Sequence, residues 1–201
     1  MRKLISLAAA VGAALVVAAP AYASGQPSGS VVDVLVAKSG GGAFDHNPND
    51  YDVLVQAVLA ADLAGALGDP EALWTVFAPN DRAFLKLAYD LTGTWPASEQ
   101  AAFEAIAGVL ASLDPNGDPI PLLTQVLLYH VIGGEALGPL QVLTAGQLTM
   151  ANGGTVHVRL LTLVDQEPDL RNPRLVLSGI NIKATNGVIH TIDGVLIPAD
   201  L

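Results

Sequence analysis

Not one cysteine occurs in the 201 residues. No disulfide can form, so the fold has to rest on its core. Thiolate zinc sites, cysteine nucleophiles and lipid attachment at cysteine are excluded as well. Basic residues are scarce. Nine Lys and Arg face nineteen Asp and Glu, a formal charge of −10. A nucleic-acid binder needs a basic footprint to displace counterions, and this chain has none. The same balance disfavours docking on anionic lipid. There is no Asn-x-Ser/Thr acceptor, no Gly-x-Ser-x-Gly elbow, and no Lys-Ser/Thr after Gly40-Gly41-Gly42 to make a phosphate loop. The long apolar run at residues 4–19 stops at Pro20, short of a bilayer span.

That run has another meaning. Arg2 and Lys3 precede it and Ala21-Tyr22-Ala23 follows it. A charged start, an apolar stretch and a small-x-small site form an export signal, expected over residues 1–23 and cleaved before Ser24. Without Arg2 and Lys3, seven basic residues face nineteen acidic ones. Residues 24–29 read as a polar linker and 30–201 as one domain, long enough to bury roughly 70% of its unfolded surface. The expected location is extracellular or periplasmic, with no membrane span after signal removal.

Helical signals come first. Ser30 and Asp33 form an approximate capping box before Val31, Val34 and Leu35. Leu54, Ala57, Val58 and Ala61 share a helical face over 53–61. Residues 73–78 read as a strand with Thr75 and Phe77 on one face and Trp74 and Val76 on the other. Asn80 caps a helix carrying Phe84, Leu87, Ala88 and Leu91 up to Gly93, and Ser98 caps another. Pro121 opens a helix expected to reach about His130. Residues 147–150, 155–164, 174–182, 187–193 and 195–197 are β-rich. Helices followed by strands indicate an α+β fold.

Three stretches together resemble the fasciclin domain family. Thr75-Val76-Phe77-Ala78-Pro79-Asn80-Asp81-Arg82-Ala83-Phe84 is similar to that family's first box. Leu127-Leu128-Tyr129-His130-Val131-Ile132 is similar to its central Tyr-His motif. Asn186-Gly187-Val188-Ile189-His190-Thr191-Ile192-Asp193-Gly194-Val195-Leu196-Ile197-Pro198 is similar to its closing box. The match spans residues 30–198. The resemblance implies a wedge of β-sheet with N-terminal helices packed against it. It also implies adhesion or extracellular binding without catalysis. Loops appear expanded near 39–52, 93–118 and 165–173, where partner specificity can be added. Asn181-Ile182-Lys183 stands where animal members carry an Asp-Ile pair linked to integrin binding, so that contact is not carried over.

The motif residues Thr75, Phe77, Pro79, Asn80, Asp81, Phe84, Tyr129, His130, Asn186, Gly187, His190 and Asp193 are expected to be structural or binding positions. Tyr129-His130 reads as a hydrogen-bonded pair joining a helix end to the sheet, with the Asn80-Asp81 end as His130's partner. His46, His130, His157 and His190 lack metal-ligand spacing. Asp45, Asn47 and Asn49 imitate the first ligands of a calcium loop. Asp50 then replaces its turn glycine and Gln56 its bidentate Glu. Asx residues equally make turns and caps, so no metal, cofactor or catalytic residue is assigned. Glu167-Pro168-Asp169-Leu170 reads as a solvated loop. The expected function is a non-catalytic module binding an extracellular protein or polysaccharide, or a second copy of itself. The alternative is a carrier of an apolar small molecule, for which a Leu- and Val-lined pocket is the discriminating feature.

Overall fold

A computed structural model describes residues 28–198. The expected export segment lies outside the described residues, as does most of the expected linker. Helix α1 (Val31–Lys38) starts with a full capping box. The Ser30 hydroxyl accepts from the Asp33 amide at 3.3 Å, and the Asp33 carboxylate accepts from the Ser30 amide at 2.8 Å. Helices α2 (Asp52–Ala60) and α3 (Ala64–Gly68) follow, then strand β1 (Trp74–Pro79). Helix α4 (Asp81–Thr92) is capped by Asn80 and stopped by Gly93, whose φ of 70° suits a residue without a Cβ. Ser98 caps α5 (Glu99–Leu113), which fills most of the stretch 93–118.

Helix α6 (Ile120–Leu128) ends two residues short of His130. Strand β2 (Val131–Gly133) and helix α7 (Pro139–Thr144) come next, neither of them expected from the sequence. The β-rich stretch 155–164 is a hairpin. β4 (Thr155–Arg159) and β5 (Thr162–Val164) flank Leu160, whose φ of 56° turns the chain. β3 (Gln147–Thr149) completes that small sheet, in the order β3-β4-β5. The β-rich stretch 174–182 holds isolated bridges and a 3-10 turn at Leu177–Gly179 before a strand begins at Ile182. Residues 195–197 are buried but unpaired as a strand. β6 (Ile182–Ala184) and β7 (Gly187–Ile192) close the larger sheet, ordered β2-β1-β7-β6.

In that sheet β1 and β7 run parallel, pairing Trp74 with Gly187 through Pro79 with Ile192. Strand alternation then sorts the side chains into two apolar cores. Val76, Ala78, Val131 and Ile189 join the helices in one. Phe77, Ile132 and Ile192 join Tyr129, α7 and the small sheet in the other. The result is an α+β fold in which the larger sheet has helices on one face and the three-stranded sheet on the other.

Candidate functional site

The first and last boxes meet along the β1–β7 ladder. Phe77, fully buried, stacks on the His190 ring with centroids 5.8 Å apart. Thr75 Oγ1 donates to the Glu135 carbonyl at 2.7 Å and accepts from the Leu137 amide at 2.8 Å, fixing the loop after β2. A Cβ on Gly187 would stand 2.2 Å from the Trp74 carbonyl oxygen, so only glycine lets the strands approach there. Asn186 is buried. Its Oδ1 accepts from the Val31 amide at 2.8 Å, and its Nδ2 donates to the carbonyls of Leu67 and Asp69. Asp193 accepts from the Arg174 amide and pairs with Arg171 at 2.8 Å. Pro79 and Phe84 line an apolar cavity of about 30 Å³ between α4, α5 and α6.

Tyr129 and His130 do not reach Asn80 and Asp81. The Tyr129 hydroxyl donates to the Thr155 carbonyl at 2.6 Å, beside Gly154. His130 bridges two backbone groups from distant parts of the chain, one of which, the Val126 carbonyl, also accepts the Tyr129 amide at 3.1 Å. Nδ1 donates to the Val126 carbonyl in the last turn of α6 at 2.7 Å, and Nε2 accepts from the Leu196 amide at 2.8 Å. That network assigns the neutral Nδ1–H tautomer. Burial lowers the His130 pKa to about 4. His190 is lowered too, first by burial, with Nε2 donating to the Leu137 carbonyl and Nδ1 accepting from the Asn181 amide. Both imidazoles are therefore saturated structural groups.

The chemically loaded feature lies beside the first box. Tyr51 precedes α2 and supplies no cap. Asp81 substitutes for it, accepting the amides of Asp52 at 3.1 Å and Val53 at 2.8 Å. Glu99, at the start of α5, accepts the Asp45 amide at 2.9 Å. Asp50 accepts from Asn47 Nδ2 at 2.9 Å. Asp52 lies among these groups with 0% exposure, and neither of its oxygens has a hydrogen-bond partner among the described residues. One oxygen each from Asp50, Asp52 and Asp81 lie within 4.8 Å of one another, and the same holds for Asp45, Asp52 and Glu99. Burial, then the charges of Asp50, Asp45 and Glu99, raise the Asp52 pKa to about 6. Asp81 is raised by burial and by its carboxyl–carboxyl contact with Asp50, against the opposing pull of the two amides. Burial also raises Glu99.

A sequence model of the Fasciclin domain matches residues 49–198. The chain belongs to the fasciclin domain family. Protein sll1483 of Synechocystis sp. is 31% identical over 150 residues, covering 74% of this chain and 67% of that protein. The transforming growth factor-beta-induced protein ig-h3 of Sus scrofa is 30% identical over 175 residues, which is 86% of this chain and 20% of that one. A solved FAS1 domain pair from the insect cell adhesion molecule Fasciclin I superposes with a TM-score of 0.60 at 14% identity. It covers 85% of this chain, which spans 51% of that structure's length.

Within this fasciclin domain the three boxes supply packing and backbone capping, while the carboxylate cluster draws on parts that sequence reasoning kept apart. Asp45 to Asp52 stood out as oxygen-rich, but Asp45 and Asn47 make Asx turns by accepting the amides of Asn47 and Asn49, and Gln56 donates to the Gly42 carbonyl. Asp52, Asp81 and Glu99 meet only because the first positions of α2, α4 and α5 converge, a tertiary fact with no linear signal. A second correction concerns Glu167. It is buried and not solvated, its Oε1 accepting the Asp169 amide at 2.8 Å.

Proposed function

We propose that this fasciclin domain is an extracellular or periplasmic binding module of the adhesion type, exported by the signal at residues 1–23 and without catalytic activity. The observation that carries this is the filled interior. The apolar cavity between α4, α5 and α6 holds about 30 Å³, whereas pockets for small organic ligands run to roughly 300–1,000 Å³. The larger clefts, about 400 and 660 Å³, are open and of mixed polarity, which suits contact with a protein or polysaccharide surface. Neither histidine of the motifs is free for chemistry, since backbone groups occupy both ring nitrogens of each. Fasciclin domains are generally non-enzymatic adhesion modules, and the solved domain pair comes from a molecule described as a cell adhesion molecule.

Export and isolation of the native protein test this. Its N-terminus is expected at Ser24, and a solvent extract is expected to contain no stoichiometric apolar molecule. Immobilised protein should retain cells or wall polymer above a charge-matched control. A pigment or lipid at one per chain, or retention no better than the control, would move the assignment to the carrier.

A further inference from the structure

The carboxylate cluster holds a side chain that the fold does not explain. Asp52, Asp81 and Glu99 occupy the first positions of α2, α4 and α5. Helix N-termini favour negative charge, and two of the three acids use that. Asp81 caps the start of α2 and Glu99 satisfies the loop amide of Asp45, so each has a hydrogen-bonding role in the fold. Asp52 caps nothing. It is fully buried, and neither carboxylate oxygen has a hydrogen-bond partner among the described residues. The Asp45 amide is close enough to lower its pKa, the smallest of the influences on it, but completes its hydrogen bond on Glu99. Asp50 Oδ1 is likewise buried and unpartnered. A buried carboxylate without donors is costly unless a cation faces it.

We propose that Asp52 is the central ligand of a calcium site completed by Asp45, Asp50, Asp81 and Glu99. The donor set is all carboxylate oxygen, which selects a hard cation over a transition metal. In each of the two triads that share Asp52, oxygens within 4.8 Å of one another match two ligands facing each other across an ion at about 2.4 Å. Magnesium sits nearer 2.1 Å and keeps its own waters, so this many carboxylates favour calcium. The ion would tie the loop before α2 to three helix N-termini. The site does not depend on the adhesion assignment.

The test uses the full exported protein, stripped with chelator and titrated calorimetrically with calcium chloride. One ion per chain is expected. The melting temperature should rise on the order of 5–10 °C when calcium exceeds its Kd a hundredfold. Both effects should vanish in Asp52→Asn with its far-UV circular dichroism unchanged, and persist in Glu71→Gln, which removes an exposed charge elsewhere. Should Asp52→Asn fail to fold, Asp50→Asn carries the same comparison. The proposal is overturned by no heat and no melting shift at calcium about tenfold above the ~1 mM range of weak extracellular modules. It is also overturned by undiminished binding in the folded asparagine variant, or by an equal response to magnesium.

Discussion

His130 sits between two chain segments and hydrogen-bonds a backbone group of each. The Val126 carbonyl belongs to the last turn of α6, and the Leu196 amide to an extended stretch outside any strand. A neutral imidazole serves both, and protonation would remove the acceptor at Nε2. The pKa of about 4 in the fold lies below the ordinary histidine value near 6.5. Above pH 6.5 neither state binds this proton, so its contribution to stability is constant. Between 6.5 and 4 only the unfolded chain binds it, and stability falls as the pH falls. His130→Gln lacks this loss. It should be less stable than wild type at pH 7, where hydrogen bonds are missing, by about 1–3 kcal/mol. The gap should narrow by about 2–3 kcal/mol on going to pH 4.5. Urea unfolding of both proteins at the two pH values measures it, and other titrating groups largely cancel in the difference. A gap independent of pH would mean that His130 is charged or solvated in the fold. The Tyr-His pair and its structural character were legible in the sequence. Its partners were not, because which backbone atoms face a buried ring depends on where residue 196 returns.

Asn186 acts at the scale of elements. It lies just before β7, yet it serves the start of α1 and the end of α3. The helix α1 thus has two anchors, the local Ser30 cap and the remote Asn186 carbonyl oxygen. Ser30→Ala is expected to cost about 1 kcal/mol, since the cap is partly exposed to water. Asn186→Ala leaves the buried Val31 amide and the Leu67 carbonyl unpaired at about 1–3 kcal/mol each, so its cost should be about 3 kcal/mol. Denaturant unfolding ranks the two. Equal costs would show that α1 is held by its own cap and that the long-range tie contributes nothing. Helices with a cap and an apolar face, α1, α4 and α5, could be placed from the sequence, and α2 from its apolar face alone. The elements that escaped were short. β2 spans three residues and α7 six, too few for either period to declare itself. The β4–β5 hairpin could be read only as a β-rich segment, because Leu160-Leu161 at its tip is apolar where a turn signal is expected.

At the scale of the whole molecule, the two apolar cores share their walls. β1 contributes Val76 and Ala78 to the helical core and Phe77 to the other, and Leu196 and Ile197 divide in the same way. The resemblance to the fasciclin family brings the first and last boxes together. It did not show a parallel ladder whose faces carry separate cores, since the larger sheet's other strands and the small sheet come from the segments that were hardest to assign. Because neither core has a wall of its own, neither can melt while the other remains. The chain should therefore unfold in one transition, although its cores are distinct clusters. Phe77→Ala is expected to cost about 3–5 kcal/mol and Val76→Ala about 2 kcal/mol, one acting on each face of the same strand. Both should lower a single melting transition seen identically by far-UV and near-UV circular dichroism. Two transitions, with each substitution moving only one, would mean that the sheet separates into independent halves and that the β1–β7 ladder is not the common wall.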